Sequence, residues 1–173
     1  MPAPDPGPGR PGDGEPTLAG LGARFDHVAI AGPSFAALLP LYRDVLGGRL
    51  RDGGINTALG FQTANVVFAD GRHVELVAPV AGSGFLDGFL ARSGGRGGLH
   101  HVTFLVPDAR VAVATLHARG YATFGESLDD PLWAEAFVHP RDSGGVLLQV
   151  ARKGEVVPGR LGGAWEPLDV TAL

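Results

Sequence analysis

The spacing of hydrophobic positions changes several times along this chain, and the changes mark out its elements. Phe25–Ala31 is a short run of strand character. After Pro33, apolar residues recur at Phe35, Leu38, Leu39, Tyr42 and Leu46. That is the spacing of one helix face, and it predicts a helix over Ser34–Leu46 stopped by Gly47 and Gly48. Arg49–Asp52, Thr57–Ala69 and Arg72–Val80 read as strands. Asp70-Gly71 between the last two is a two-residue hairpin signal. A short helix over Gly84–Arg92 and a glycine-rich joint, Gly94–Gly98, follow.

The order then starts again. Leu99–Val106 reads as a strand, Asp108 as the cap of a helix over Ala109–Arg119, and Gly120 as its stop. Tyr121–Gly125, Ala134–His139 and Val146–Ala151 read as strands. Phe25-Asp26-His27-Val28 aligns with Leu99-His100-His101-Val102, and Val74-Glu75-Leu76-Val77 with Leu148-Gln149-Val150-Ala151. From His27 to Glu75 and from His101 to Gln149 the distance is 48 positions in each case. Similarity at a fixed offset marks repeated architecture. The expectation is an α+β fold of two tandem β-α-β-β-β units, residues 24–80 and 99–152, joined by residues 81–98 within one domain, 23–152.

Composition changes the picture at both ends. Residues 1–22 are rich in Pro and Gly and poor in apolar side chains. Such a segment cannot bury enough surface to offset its ordering entropy, so it is expected to be a disordered arm. Residues 153–173, with Pro158, Gly162, Gly163 and Pro167, are expected to be irregular, and whether Trp165 and Leu168 dock is left open. The absence of cysteine excludes disulfides and thiolate chemistry. A net charge of −4 with scattered basic residues argues against nucleic acid as a partner. No apolar run approaches the ~20 residues of a membrane span. The first residues lack the pattern of a signal peptide, so a cytoplasmic protein is the default.

His27, Glu75, His101 and Gln149 stand in apolar, β-branched surroundings, where a polar side chain that points inward needs a partner. Taken singly, each is most simply a residue with local hydrogen bonds. Taken in duplicated register, they point to one site for a divalent metal ion. Two imidazoles, a carboxylate and an amide oxygen suit Co, Ni, Zn or Mn.

The stretches Asp26-His27-Val28-Ala29, Val74-Glu75-Leu76-Val77-Ala78-Pro79, Gly98-Leu99-His100-His101-Val102, His139-Pro140-Arg141 and Gly145-Val146-Leu147-Leu148-Gln149 resemble methylmalonyl-CoA epimerases. More broadly they resemble the vicinal oxygen chelate superfamily, which includes glyoxalase I, extradiol dioxygenases and bleomycin-resistance proteins. The resemblance covers Arg24–Arg152. It implies a curved, cup-shaped mixed sheet with helices outside and a metal inside, and His101 as the ligand of the histidine pair. It also implies a metal-dependent isomerase or lyase that abstracts a proton beside a metal-bound carbonyl, epimerase-like or glyoxalase-like. An acyl-CoA substrate and a homodimer are the implied partners. The alternative on the same fold is a non-enzymatic protein that binds a small molecule such as an antibiotic. An extradiol oxygenase ranks lowest, because its last-strand carboxylate is here Gln149.

The chain departs from the epimerase pattern in its carboxylates. The last metal position, a glutamate in that family, is Gln149, and a further active-site glutamate aligns with Asn65. Epimerisation needs a base within hydrogen-bond reach of the carbon acid and an acid on the opposite face. Glu75 is the first candidate for this work. Glu135 is the second, set against its simpler reading as a solvent-facing strand charge. His139 before Pro140 reads as a strand-end residue. His73 shares the strand face of Glu75 but is expected to be exposed beside the hairpin turn. His100 is expected to face the helices, and His117 to be exposed. Arg92, Arg96 and Arg141 are candidate phosphate holders, read first as solvated surface.

Overall fold

The computed structural model of the chain describes residues 21–154 and 165–173. Its first unit runs through β1 (Arg24–Ala31), α1 (Phe35–Leu39) with a continuing π-helical turn over Pro40–Val45, β2 (Arg49–Asn56), β3 (Phe61–Val67) and β4 (His73–Pro79). A short helix, α2 (Asp87–Arg92), leads to β5 (Gly98–Leu105), α3 (Ala109–Ala118), β6 (Thr123–Ser127), β7 (Trp133–Val138) and β8 (Leu147–Lys153). Local chemistry sets the boundaries as the sequence suggests. The Ser34 hydroxyl caps α1 by accepting from Ala37 N, and the Asp108 carboxylate caps α3 by accepting from Arg110 N and Val111 N. Gly71 takes a φ of 81° in the β3–β4 hairpin, a conformation that favours glycine.

The strands form one curled mixed sheet in the order β6-β7-β8-β5-β1-β4-β3-β2, with one more strand, β9 (Trp165–Pro167), beside β2. In each unit the first strand lies parallel to the last, β1 to β4 and β5 to β8. The units join through an antiparallel β1–β5 pair, so the order β5-β8-β7-β6 repeats β1-β4-β3-β2. The expected α+β architecture of two β-α-β-β-β units in a cup is therefore present. No helix among the described residues is long and apolar enough to cross a membrane.

Side-chain alternation along the strands sorts the residues between two faces. On the helix side, Phe35, Leu38 and Leu39 of α1 pack on Ala64, Val66, Leu76 and Ala78. Ala112, Val113 and Leu116 of α3 pack on Ala136, Val138 and Val150. On the other face, Ala29, Ala31, Val77 and Leu86 form a third apolar cluster with Phe61, Phe89 and Leu90. His27, Glu75, His101 and Gln149 share that face of the sheet, since His27 alternates with Ala29 and Ala31, and Glu75 with Val77.

Two expectations about the ends need correction. Residues 1–20 of the expected arm lie outside the described residues, but Leu21 packs against the α3 cluster. The tail is not irregular throughout its described part. Trp165–Pro167 forms β9, antiparallel to β2. Glycines in β2 make room for it: a Cβ on Gly54 would meet Trp165 Cε3 at 2.8 Å. Leu168, Val170 and Leu173 complete the α1 cluster, which gives the tail its apolar anchor.

Candidate metal centre

His27 sits on the central strand β1, next to a break in the β1–β5 register between Phe25 and His27. The irregularity lets Asp26, its chain neighbour, reach it: Asp26 Oδ2 lies 2.7 Å from His27 Nδ1. The other ring nitrogen, Nε2, points across the sheet and lies 3.8 Å from Glu75 Oε2. His101 on β5 brings its Nε2 to 3.5 Å from the same oxygen. One ligand atom from each of His27, Glu75 and His101 thus falls within 4.8 Å of the other two. Both histidines are buried, and the rings stand edge to face with centroids 5.7 Å apart.

Gln149 is also buried, but a hydroxyl separates it from the trio. Thr103 Oγ1 donates to Gln149 Oε1 at 2.5 Å and lies 3.1 Å from His27 Nε2. A hydroxyl that donates its proton to Gln149 accepts from His27, so both His27 nitrogens carry hydrogen: Nδ1–H toward Asp26 and Nε2–H toward Thr103. Beyond Gln149 the chain of contacts continues. Gln149 Nε2 donates to Glu135 Oε2 at 2.5 Å, and Trp133 Nε1 donates to the same oxygen at 2.8 Å. Glu135 therefore turns into the cup rather than toward solvent.

The electrostatics follow from these contacts. Burial pushes the His27 imidazole down, but the hydrogen bonds and charges of Asp26 and Glu75 outweigh it and raise it to about 9. His101 has no such pairing. Burial, with the repulsion of His100 and His27 added, takes it down to about 4 despite Glu75. Burial pushes the Glu75 carboxyl up, yet the His27 hydrogen bond and the surrounding imidazoles win, so it lies below its usual range. Glu135 goes the other way. Burial raises it, the charges of Glu75 and Asp130 add to that, and the bonds from Trp133 and Gln149 only partly offset the rise.

The other singled-out residues divide. His73 is not exposed as expected: its side chain is 13% exposed, its ring lies 5.0 Å from that of His27, and its Nε2 is 3.6 Å from Asp26 Oδ2. The β1–β4 register pairs it directly with His27, which outweighs its place near the turn. His100 does meet a helix, through Phe89 of α2, but its Nδ1 also lies 2.9 Å from His101 Nδ1. His117 is exposed, and His139 caps the turn over Pro140–Asp142 by accepting from Arg141 N. Arg92, Arg96 and Arg141 are all exposed on the surface. Asn65 lies opposite Glu75 in the β3–β4 register and donates to Asp52 Oδ1 at 2.5 Å.

Three residues at the site escaped the sequence reading. Thr103 follows His101 by two positions, so strand alternation alone places it on the same face. Asp26 adjoins His27, but its reach depends on the register break. Asp52 has no local signal, because it arrives by pairing of β2 with β3.

A carboxylate oxygen and two imidazole nitrogens in a buried cup are a donor set suited to a borderline divalent ion, and Asp26 adds the carboxylate behind a histidine that commonly orients such a ligand. The residues present fit a metal.

Comparison with known proteins places this arrangement in context. The family model described as Glyoxalase/Bleomycin resistance protein/Dioxygenase superfamily matches residues 26–131. The mitochondrial methylmalonyl-CoA epimerase of Mus musculus is 30% identical over 131 residues, covering 73% of this chain and 71% of that protein. The crystal structure of methylmalonyl-CoA epimerase from Mycobacterium tuberculosis superposes with a TM-score of 0.66 at 26% identity, over 76% of this chain and 88% of the other. A methylmalonyl-CoA epimerase in complex with methylmalonyl-CoA and NH4+ gives a TM-score of 0.63 at 26% identity, over 78% and 96% of the two chains.

Proposed function

The chain belongs to the glyoxalase/bleomycin resistance protein/dioxygenase superfamily as an enzyme of epimerase type, and from that premise we propose that it inverts the stereocentre beside the thioester carbonyl of an acyl-CoA, with methylmalonyl-CoA the first substrate to try. The observation that carries the reading is the convergence of His27 Nε2 and His101 Nε2 on one Glu75 oxygen, with Glu135 on the facing side of the cup. His27, Glu75 and His101 would hold the divalent ion, Co, Ni, Zn or Mn, and Gln149 Oε1 would be a fourth donor in exchange for its bond to Thr103. The ion supplies Lewis-acid polarisation of the carbonyl oxygen when bound.

The chain's own groups move the proton. Glu75 and Glu135 are carboxyls whose surroundings push them in opposite directions, one down and one up. Such a pair divides acid and base roles between the two units. Glu75 begins ionised and accepts the proton from one face of the carbon. Glu135 holds a proton more readily and delivers one from the other face. Inversion in the reverse direction exchanges the roles, as an epimerase requires. Gln149 keeps Glu135 aimed by donating its amide N–H to it, and Asp26 holds the ring of His27.

Sequestration of a small molecule on the same fold is not favoured, because the matched relatives named above are epimerases. The test begins with metal analysis of protein purified without chelators or a histidine tag. It continues with NMR of methylmalonyl-CoA in D2O, where exchange of the α-proton reports abstraction. About one equivalent of transition metal and exchange lost in Glu75→Gln are the expected results. Failure to take up Co, Ni, Zn or Mn, or exchange that proceeds equally in Glu75→Gln, refutes the proposal. A glyoxalase assay on the hemithioacetal of methylglyoxal and glutathione separates the lyase chemistry of the fold.

A further inference from the structure

The ring of His27 has two working sides. Its Nε2 points toward Glu75 and His101, and its Nδ1 points the other way, to Asp26 Oδ2 at 2.7 Å. On that second side stands another imidazole. The parallel β1–β4 register sets His73 directly beside His27, with the ring centroids 5.0 Å apart. The register break between Phe25 and His27 lets Asp26 reach both rings, and His73 Nε2 lies 3.6 Å from the same Asp26 oxygen. One ligand atom from each of Asp26, His27 and His73 therefore falls within 4.8 Å of the other two, as in the first trio. Among the described residues His73 makes no hydrogen bond, since its contact with Asp26 is too long for one, and its Nε2 is left open to a metal. This second trio also lies nearer the surface: the Asp26 and His73 side chains are 25% and 13% exposed, against 5% for His27.

We propose that Asp26, His27 and His73 form a second divalent-metal site, weaker than the first, in which His27 Nδ1 is a ligand while Nε2 faces the first centre. Two imidazoles and a carboxylate oxygen are again the donor set of a borderline ion such as Zn or Co. Three donors at ~2.1 Å from a tetrahedral ion stand ~3.4 Å apart. Asp26 and His73 are near that spacing already. The 2.7 Å contact between Asp26 and His27 has to open by ~0.7 Å as the metal replaces the Nδ1 proton, which leaves to solvent. Filled alone, the site leaves the Nε2 proton in place. Filled after the first centre, it makes His27 an imidazolate bridge between two ions. Two features make it the weaker site. His27 must give up its second proton, and two cations stand near. Arg51 is paired with Asp52 at 2.7 Å but still repels charge at His73, and Lys153 acts on both Asp26 and Asp52. The inference goes beyond the epimerase reading and does not depend on it.

Calorimetric titration of the metal-free protein with Zn or Co separates the two sites. The wild type should take up two equivalents in two events. The second ion should leave on desalting, so that protein as purified keeps about one equivalent. His73→Ala should weaken the second event about 100-fold or more, since losing a ligand costs at least as much as losing an outer partner, and should shift the first by less than about tenfold. His101→Ala should do the reverse in the titration, losing the tight event and keeping the weak one. His27→Ala should lose both, the mark of a shared ligand. With two Co ions bound to the wild type, electron paramagnetic resonance should show them coupled through the ring, and His73→Ala should restore the signal of one isolated ion. A single event in the wild type, weakened by His73→Ala, would make Asp26 and His73 orienting partners of His27 only and overturn the second site. So would a second event that survives His73→Ala, which marks an adventitious surface site. A single event lost in His73→Ala but kept in His101→Ala would refute the first centre and leave this one standing.

Discussion

Raising the pH from 7 to 9 should tighten metal binding about 50-fold, half of a limit of about 100-fold reached above 9. The magnitude comes from one proton. His27, held by Asp26 and Glu75, titrates at about 9, whereas His101 titrates at about 4 and Glu75 lies below its usual range. At pH 7 the nitrogen of His101 is free to bind and the Glu75 carboxylate is ionised, but only about 1% of His27 has a free nitrogen. A metal must displace that proton, at a cost of about 2.7 kcal/mol relative to the high-pH limit. Affinity should climb about tenfold per pH unit and level off above 9. Calorimetric titration with Zn or Co in buffers of different ionisation enthalpy counts the protons released: close to one per metal at pH 7, and close to none at pH 10. The metal-free fold should behave in the opposite sense. A raised histidine stabilises while protonated, so its contribution of about 3 kcal/mol is complete below pH 6.5 and is lost as the pH rises through 9. Asp26→Asn removes the main charge partner behind His27 and should flatten both trends. Metal affinity that does not change between pH 7 and 9, with no proton released, would refute this account of His27.

Three further outcomes follow from the same contacts. His101→Ala should abolish stoichiometric metal binding, read by elemental analysis, and full retention of metal would remove the site. Glu135→Gln keeps the side-chain shape but cannot carry a proton, so kcat should fall by about 10²–10⁴ with KM little changed; an unchanged kcat would return Glu135 to a structural role. Trp165→Ala should lower stability by about 2 kcal/mol in urea unfolding, because it removes the ring that lies on Gly54 and edge-on to Phe61 at 5.3 Å; no change would mean that β9 does not hold the edge of the sheet.

The repeat was legible because it is written in local pattern. The caps at Ser34 and Asp108, the hairpin at Gly71 and the matched spacing of the two units need no knowledge of the tertiary structure. What escaped was non-local. β2 continues to Asn56 instead of stopping at Asp52, because Gly53 and Gly54, which read as breakers, permit close approach of the tail. A Cβ on Gly53 would meet Thr63 O at 2.5 Å, and one on Gly54 would meet Trp165. His73 was misplaced for a similar reason. Its distance from the turn is visible in the sequence, but its pairing with His27 across a parallel ladder is not. At the site, the duplicated spacing singles out His27, Glu75, His101 and Gln149, and the sheet brings their side chains near one another. The spacing cannot tell that a threonine stands between His27 and Gln149, since that depends on how β5 and β8 align.

That threonine bears on the departure from the epimerase pattern. The resemblance implies a glutamate where this chain has Gln149, and an amide cannot take a proton from carbon. The amide can, however, accept on one side and donate on the other. Gln149 accepts from Thr103 and donates to Glu135, so a carboxyl stands one strand further out, on β7 instead of β8. A glutamate at position 149 would bring a second carboxylate within hydrogen-bond distance of Glu135, and two such groups cannot both ionise without cost. Gln149 and Glu135 are thus compatible as a pair in a way that two glutamates are not. The first unit shows a related arrangement. Asn65, aligned with the family's other glutamate, donates to Asp52 on the neighbouring strand. In both halves an amide occupies the inner position and holds a carboxyl on the next strand outward. The same physical constraint explains both: a buried centre that already contains the Glu75 charge accommodates further acids more easily at a distance, each fixed by a neutral donor.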